Sequence, residues 1–150
     1  MARIQFPTAV AAELGDATPK MLNNWRTVGF LLPAHPGTSK RGGHRYSFND
    51  IVAMRVIRAA EPLASHTLEP LRAMVAYVCA RPGLSSTSPL PSTTLATDGR
   101  DVCELPADAS LASLRKRLTP SPILILVPLD PLVNDLQAKL RALNGKHQAA

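Results

Sequence analysis

The chain has 150 residues, 45% of them apolar and 19% charged, with a net charge of +6. That length suits one domain or two small ones, and the composition suits a folded, soluble protein. Its longest apolar run, "ILILV" at 123–127, is far short of the ~18–20 residues that cross a bilayer, and no secretory leader pattern opens the sequence, so a cytoplasmic protein is expected.

Charge is unevenly placed. Residues 1–60 hold eight Lys and Arg against Glu13, Asp16 and Asp50, whereas residues 61–150 hold nine against eight acids. An excess confined to the first third suits a module that faces a polyanion. Cys79 and Cys103 lack CxxC or metal-type spacing and are expected to be reduced, buried thiols.

In chain order, Thr8 predicts the cap of a short helix over "AVAAEL", with Gly15 ending it in a left-handed conformation. Thr18 followed by Pro19 predicts a second start, and that helix runs over 19–28 to stop at Gly29. Two short helices joined by a tight turn form a helix-turn-helix. At about 100° per residue, Met21, Leu22, Trp25 and Val28 share one face of the second helix. Lys20, Asn23, Asn24 and Thr27 share the other, which carries no acid. Asparagine is a poor helix former, so two in succession call for a reason other than propensity. Its amide can pair with an adenine edge, and lysine can reach guanine or phosphate.

"FLLPAHPGTSKRGGHRYSF" then predicts two short strands around a tip that carries Lys40, Arg41, His44 and Arg45. Ser47 and Asp50 spell a capping box for the helix "FNDIVAMRVIRAA", which is apolar over most of its surface and so central to the fold. Arg55 and Arg58 share one strip of it, and Pro62 ends it. A fourth helix is predicted from Thr67, with Pro70 in its first turn and Leu68, Leu71, Val75 and Val78 spaced for burial.

The Pro/Ser-rich segment 82–92 has linker composition and predicts a boundary between residues 1–81 and a small domain at 93–150. A fragment ending near Ser86 is accordingly expected to fold alone, as a monomer that binds DNA weakly. In the second part, "TTLAT" and "RDVCEL" flank Asp98-Gly99, the signal of a two-residue type I′ hairpin. A helix over "ASLASLRKRL", capped by Asp108 or Ser110, and a buried strand in "ILILVPL" follow. A last helix opens at Asp130-Pro131 and closes at Gly145, with Leu132, Leu136, Leu140 and Leu143 in a narrow stripe. The expected fold class is α+β: a mostly helical N-terminal part, then a hairpin, a third strand and a terminal helix.

The order "TPKMLNNWRTVGFLLP", basic hairpin, "RYSFNDIVAMRVI" resembles the winged helix-turn-helix of MerR-type regulators over roughly residues 4–79. The resemblance implies a recognition helix at 19–28 in the major groove and a wing at 38–45 along the sugar-phosphate backbone. Many family members carry Arg-Tyr or Arg-Trp where Asn23 and Asn24 stand, and the long dimerising helix and metal-binding cysteines of the family's sensors are missing. The second half, through "LATDGRDVCEL" and "ILILVPLDPLV", is similar to that of MerR-headed, antitoxin-like bacterial regulators.

The expected function is therefore sequence-specific regulation of transcription by a homodimer on double-stranded DNA. Thr18 caps the reading helix; Lys20, Asn23, Asn24 and Thr27 face bases; Lys40, Arg41, His44 and Arg45 hold phosphates, joined by Arg26 and Tyr46. Two other readings stand beside it: an antitoxin-like protein whose C-terminal part binds a toxin and which autoregulates its operon, and a phage-type architectural DNA binder. All aromatic residues, Phe6, Trp25, Phe30, Tyr46, Phe48 and Tyr77, precede position 78, which favours dimerisation or partner binding over a planar-ligand pocket in the second part. His35, His44, His66 and His147 are dispersed and no catalytic constellation or cofactor motif is present, so neither an enzyme nor a metal or cofactor is expected.

Overall fold

The computed structural model describes residues 4–37, 43–63, 68–106 and 125–149. The elements run β1 (Gln5–Pro7), α1 (Thr8–Leu14), α2 (Pro19–Thr27), β2 (Arg45–Ser47), α3 (Phe48–Ala60), α4 (Arg72–Ala80), β3 (Thr93–Thr97), β4 (Val102–Pro106), β5 (Ile125–Pro128) and α5 (Leu129–Ala149). Single 3-10 turns at Glu61–Leu63 and Glu69–Leu71 lie between α3 and α4. This is the α+β architecture: N-terminal helices with a two-stranded sheet, then a three-stranded antiparallel sheet in the order β4-β3-β5 and a terminal helix.

The middle of the molecule is α3. Ile51, Val52, Ala53, Met54, Val56 and Ile57 are all buried, so α3 is covered on nearly every side and its neighbours must surround it. α1, α4, β5 and α5 do so. Gly15 shows how close they come: a Cβ there would stand 2.6 Å from Met54 Sδ and 2.9 Å from its Cβ. Its φ of −85° is ordinary, so it is a packing glycine, not the left-handed stop expected; Asp16, at φ 58°, takes the left-handed turn instead. The cap expected from Thr8 is likewise absent, since α1 starts at Thr8 itself and Pro7 occupies the cap position.

Other local signals act as read. Thr18 Oγ1 accepts from Met21 N at 3.1 Å and Pro19 opens α2. At the far end Gly29 N donates to Arg26 O and Phe30 N to Trp25 O, the two bonds of a Schellman stop, with Gly29 at φ 72°. The capping box of α3 is complete: Ser47 Oγ accepts from Asp50 N at 3.1 Å, and Asp50 Oδ2 accepts from Ser47 N at 2.9 Å. Leu71, Val75 and Val78 are buried and Leu68 half-buried, as spaced, although α4 proper begins only at Arg72. Thr67, the expected start, lies outside the described residues, as does the helix expected over 109–118 with its caps Asp108 and Ser110.

Three elements differ from expectation. The segment before the basic tip does not form a regular strand with β2; it contributes one bridge, His35 with Arg45, and the partner of β2 is β1, which pairs Phe6 with Tyr46. β3 and β4 close with Thr97 opposite Val102, leaving four loop residues instead of two. Asp98 Oδ1 accepts from Arg100 N and Asp101 N, both at 2.8 Å, an Asx-type turn in which Gly99 alone has positive φ among residues 98–101. Those two amide bonds hold the Asp98 carboxyl below its ordinary value. Last, α5 runs through Gly145, whose backbone is open to solvent with nothing crowding it. A helix tolerates an interior glycine at a cost of about 1 kcal/mol.

One core serves both halves. Leu95, Ile125, Val127, Leu129, Val133 and Leu136 belong to the same buried cluster as Leu22, Trp25 and the α3 residues. The segment 82–92 is fastened to it: Leu84 and Leu90 pack on the cluster, and buried Gln137 donates to Ser85 O and Ser88 O, each at 2.7 Å. Asn49 Nδ2 donates to Arg81 O at 2.8 Å and Val78 O at 3.0 Å. Thr93 N donates to Asp130 Oδ1 at 3.0 Å, tying β3 to the first turn of α5. Each large side chain buried here contributes ~1.5–3 kcal/mol. This changes what the Ser86 fragment should do. Lacking β3, β5 and α5, it is expected to lose cooperative unfolding, which circular dichroism against temperature will show beside the full chain.

Arg55 carries a second tie across the halves. Its side chain, 7% exposed, donates through Nε to Leu14 O at 2.7 Å and pairs through Nη1 with Asp135 of α5. Its Nη2 is buried without a hydrogen-bond partner among the described residues. The pair is lopsided, since the Asp135 side chain is 57% exposed and can be solvated alone whereas the guanidinium cannot. Removing the acid should therefore hurt more than removing the base, because it strands a buried charge. Asp135→Ala is expected to lower unfolding free energy by ~1–2 kcal/mol, less than for a fully buried pair because water reaches the exposed acid's place, and Arg55→Met by less still, in parallel urea titrations.

Candidate nucleic-acid interface

Amphipathicity alone sorts α2. Leu22 and Trp25 are buried and Met21 is half-buried, which turns Lys20, Asn23, Asn24 and Thr27 outward; all four are exposed, as is Thr18 at the cap. Val28 departs from the expected apolar face. It is 67% exposed because it is the C-cap, where the Schellman turn swings the chain away from the core and Phe30 and Leu31 bury in its place.

The outward face is not uniform. Arg26 Nη2 donates to Asn23 Oδ1 at 2.5 Å, and Thr27 Oγ1 donates to the Asn23 carbonyl at 2.8 Å. Lys20 and Asn24 side chains have no such bond among the described residues. Burial pushes the Tyr46 hydroxyl of β2 above its ordinary value, the Arg26 charge opposes that, and Asp50 adds to it.

The root of the basic loop is held by a short ladder. His35 and Arg45 exchange backbone bonds of 3.0 and 2.8 Å, and Gly37 N donates to His44 Nδ1 at 2.9 Å. Below the ladder sits Asp50, 4% exposed, whose Oδ2 accepts from Ala34 N as well as Ser47 N, both at 2.9 Å. One carboxylate thus pins both arms of the loop and caps α3. Arg45 is exposed and His44 half-buried; Lys40 and Arg41 lie outside the described residues. Tyr46 does not belong to this surface. At 2% exposure it packs opposite Phe6, and period-2 alternation beside exposed Arg45 is what turns it inward.

Electrostatically the face is one-signed. Of the cations in the first 60 residues, Arg55 and Arg58 are committed elsewhere, to Asp135 and Glu61. Lys20, Arg26 and Arg45 pair with no acid among the described residues. Arg72 was not singled out from the sequence and proves to hold the end of α2. It donates from Nη1 to Gly29 O at 3.2 Å, lies 5.3 Å over the Phe30 ring centroid, and is braced by both Glu69 oxygens. Glu69 three residues ahead was the only local hint; the reach to Gly29 is tertiary.

The rest of the surface offers less. A cleft of about 790 Å³ lies between the start of α3, the end of α4 and residues 82–86. Cys79 lines it with a thiol pushed up to about 12, by burial first and then by the nearby Asp50 carboxylate. Among the described residues no group of three or more His, Cys, Asp or Glu is placed to hold a metal ion, and no helix is long and apolar enough to cross a membrane. The chain matches no protein-family model, and no curated protein sequence matches it.

Because Asp50 sets the spacing of the loop arms, Asp50→Ala should cost ~1–3 kcal/mol from the lost cap and freed amides. It should also speed amide hydrogen exchange at Ala34 and Ser47 more than elsewhere, which residue-resolved exchange will read.

Proposed function

We propose that the protein is a sequence-specific DNA-binding regulator that acts as a homodimer, each copy laying α2 in the major groove with the 38–45 wing along the neighbouring backbone. The observation that carries this reading is the exposed, acid-free face of Lys20, Asn23, Asn24 and Thr27, in a chain that also exposes Arg45 at the root of a basic loop. A solvated helix face ordinarily mixes acids with bases; a face of donors and amides suits phosphates and base edges. The MerR-type order of helix, wing and helix gives the same assignment of parts. Thr18 fixes the start of the reading helix, and Arg26, His44 and Arg45 take phosphates. Lys40 and Arg41 add charge at the tip in this reading. One module of this size covers little DNA, and two half-sites read by a symmetric pair supply the remaining affinity.

Selection from random duplex DNA is expected to return a two-fold symmetric consensus, and absence of enrichment would count against the proposal. On that consensus Arg45→Ala should weaken every sequence alike and reduce the slope of log affinity on log salt by ~0.9 per contact. Binding and slope both unchanged in a gel-shift titration would remove Arg45 from the interface.

A further inference from the structure

The outward face of α2 divides into two strips that differ in what they have left to offer. Residues 20, 24 and 28 follow one another at i, i+4 and i+8; residues 23, 26 and 27 form the other flank. The second strip is bonded within itself, through Arg26 to Asn23 Oδ1 and Thr27 to Asn23 O. An amide accepting from a guanidinium has its oxygen turned to that neighbour, since the reverse orientation would set donor against donor. The first strip is unspent: Asn24 has its carbonyl and amino group free among the described residues, and Val28, one turn on, holds an apolar side chain 67% in solvent.

Taking the DNA-binding reading as given, we infer that the strip Lys20–Asn24–Val28 is the base-reading edge and that it selects A·T pairs. Asn24 pairs with adenine N6 and N7, and Val28 covers a thymine C5-methyl. Asn23 is a positioning residue that holds Arg26 as a phosphate contact. The chemistry is complementary on both counts. Adenine shows a donor and an acceptor side by side, as a free asparagine amide does, and among the major-groove edges thymine alone carries a methyl group. An exposed valine at the end of a helix has no packing role here, and a methyl contact gives it one.

The test uses the full chain and the half-site obtained from selection, in wild-type form and with each thymine replaced in turn by uracil, which lacks the methyl. Thermal unfolding confirms that the surface variants are folded. Wild type is expected to lose about three- to fivefold in affinity at one uracil position, the worth of one apolar carbon, and Val28→Ala to lose nothing further there. Asn24→Ala should bind about ten- to a hundredfold more weakly and lose its preference for adenine at one position only. Arg26→Ala should lower the salt slope by about one phosphate's worth with preferences intact, Asn23→Ala should do the same, and the double variant should equal either single one. A selected consensus whose adenines survive Asn24→Ala, or no uracil penalty in wild type, overturns this assignment while DNA binding stands. Failure of wild type to enrich any sequence, with no salt-dependent binding, overturns both.

Discussion

A thirteen-residue helix that is apolar on nearly all sides cannot be left facing water, and α3 imposes that requirement on the whole chain. It explains why α1, α4, α5 and β5 surround it and why residues on both sides of 82–92 enter one cluster. It also explains the two charged side chains that α3 buries. Asp50 lies at its start, where the carboxylate meets orphan amides, and Arg55 lies at mid-length, where it reaches a helix-end carbonyl and an acid on α5. Both are tolerated in the interior because each bonds to more than one partner, and each draws a distant segment against α3.

The parts of this fold legible in the sequence are those written in local chemistry. Thr18-Pro19, Gly29 and the Ser47/Asp50 box set helix limits through bonds that span a few residues, and α2 and α3 follow them closely. The illegible parts depend on distant partners. β1 is three residues ending in proline, and only β2 makes it a strand. Gly15 reads as a stop until Met54 is seen against it, and Gly145 reads as a stop although nothing forces one. The Asp98-Gly99 pair marked the turn correctly, yet the aspartate side chain bonds two amides ahead and lengthens the loop. Proline and serine give 82–92 the composition of a linker at a domain boundary; that buried Gln137 bonds its Ser85 and Ser88 carbonyls is a tertiary fact.

The candidate site was legible to the extent that it rests on helical periodicity. Lys20, Asn23, Asn24 and Thr27 share the exposed face because Leu22 and Trp25 are buried. Periodicity could not show that, among the described residues, Asn23 is bonded and Asn24 is not, since that depends on the rotamer of Arg26. Nor could it place Val28, whose exposure is a property of the helix terminus, or Arg72, which arrives from another helix. Tyr46, expected among the phosphate contacts, is instead turned inward against Phe6 by the strand alternation around it.

Helix α4 is fastened at both ends by arginine. Arg72 at its start grips the carbonyl that ends α2, and Arg81 at its finish grips Glu104 of β4, which also takes the Tyr77 hydroxyl. The paired guanidinium, first, and the hydroxyl both keep the Glu104 carboxyl ionised to lower pH than usual, so this clasp persists through neutral conditions and loosens only in acid. Nine residues of helix thus carry, at opposite ends, the side chains that tie the close of α2 and the second strand of the distant hairpin to one piece of backbone.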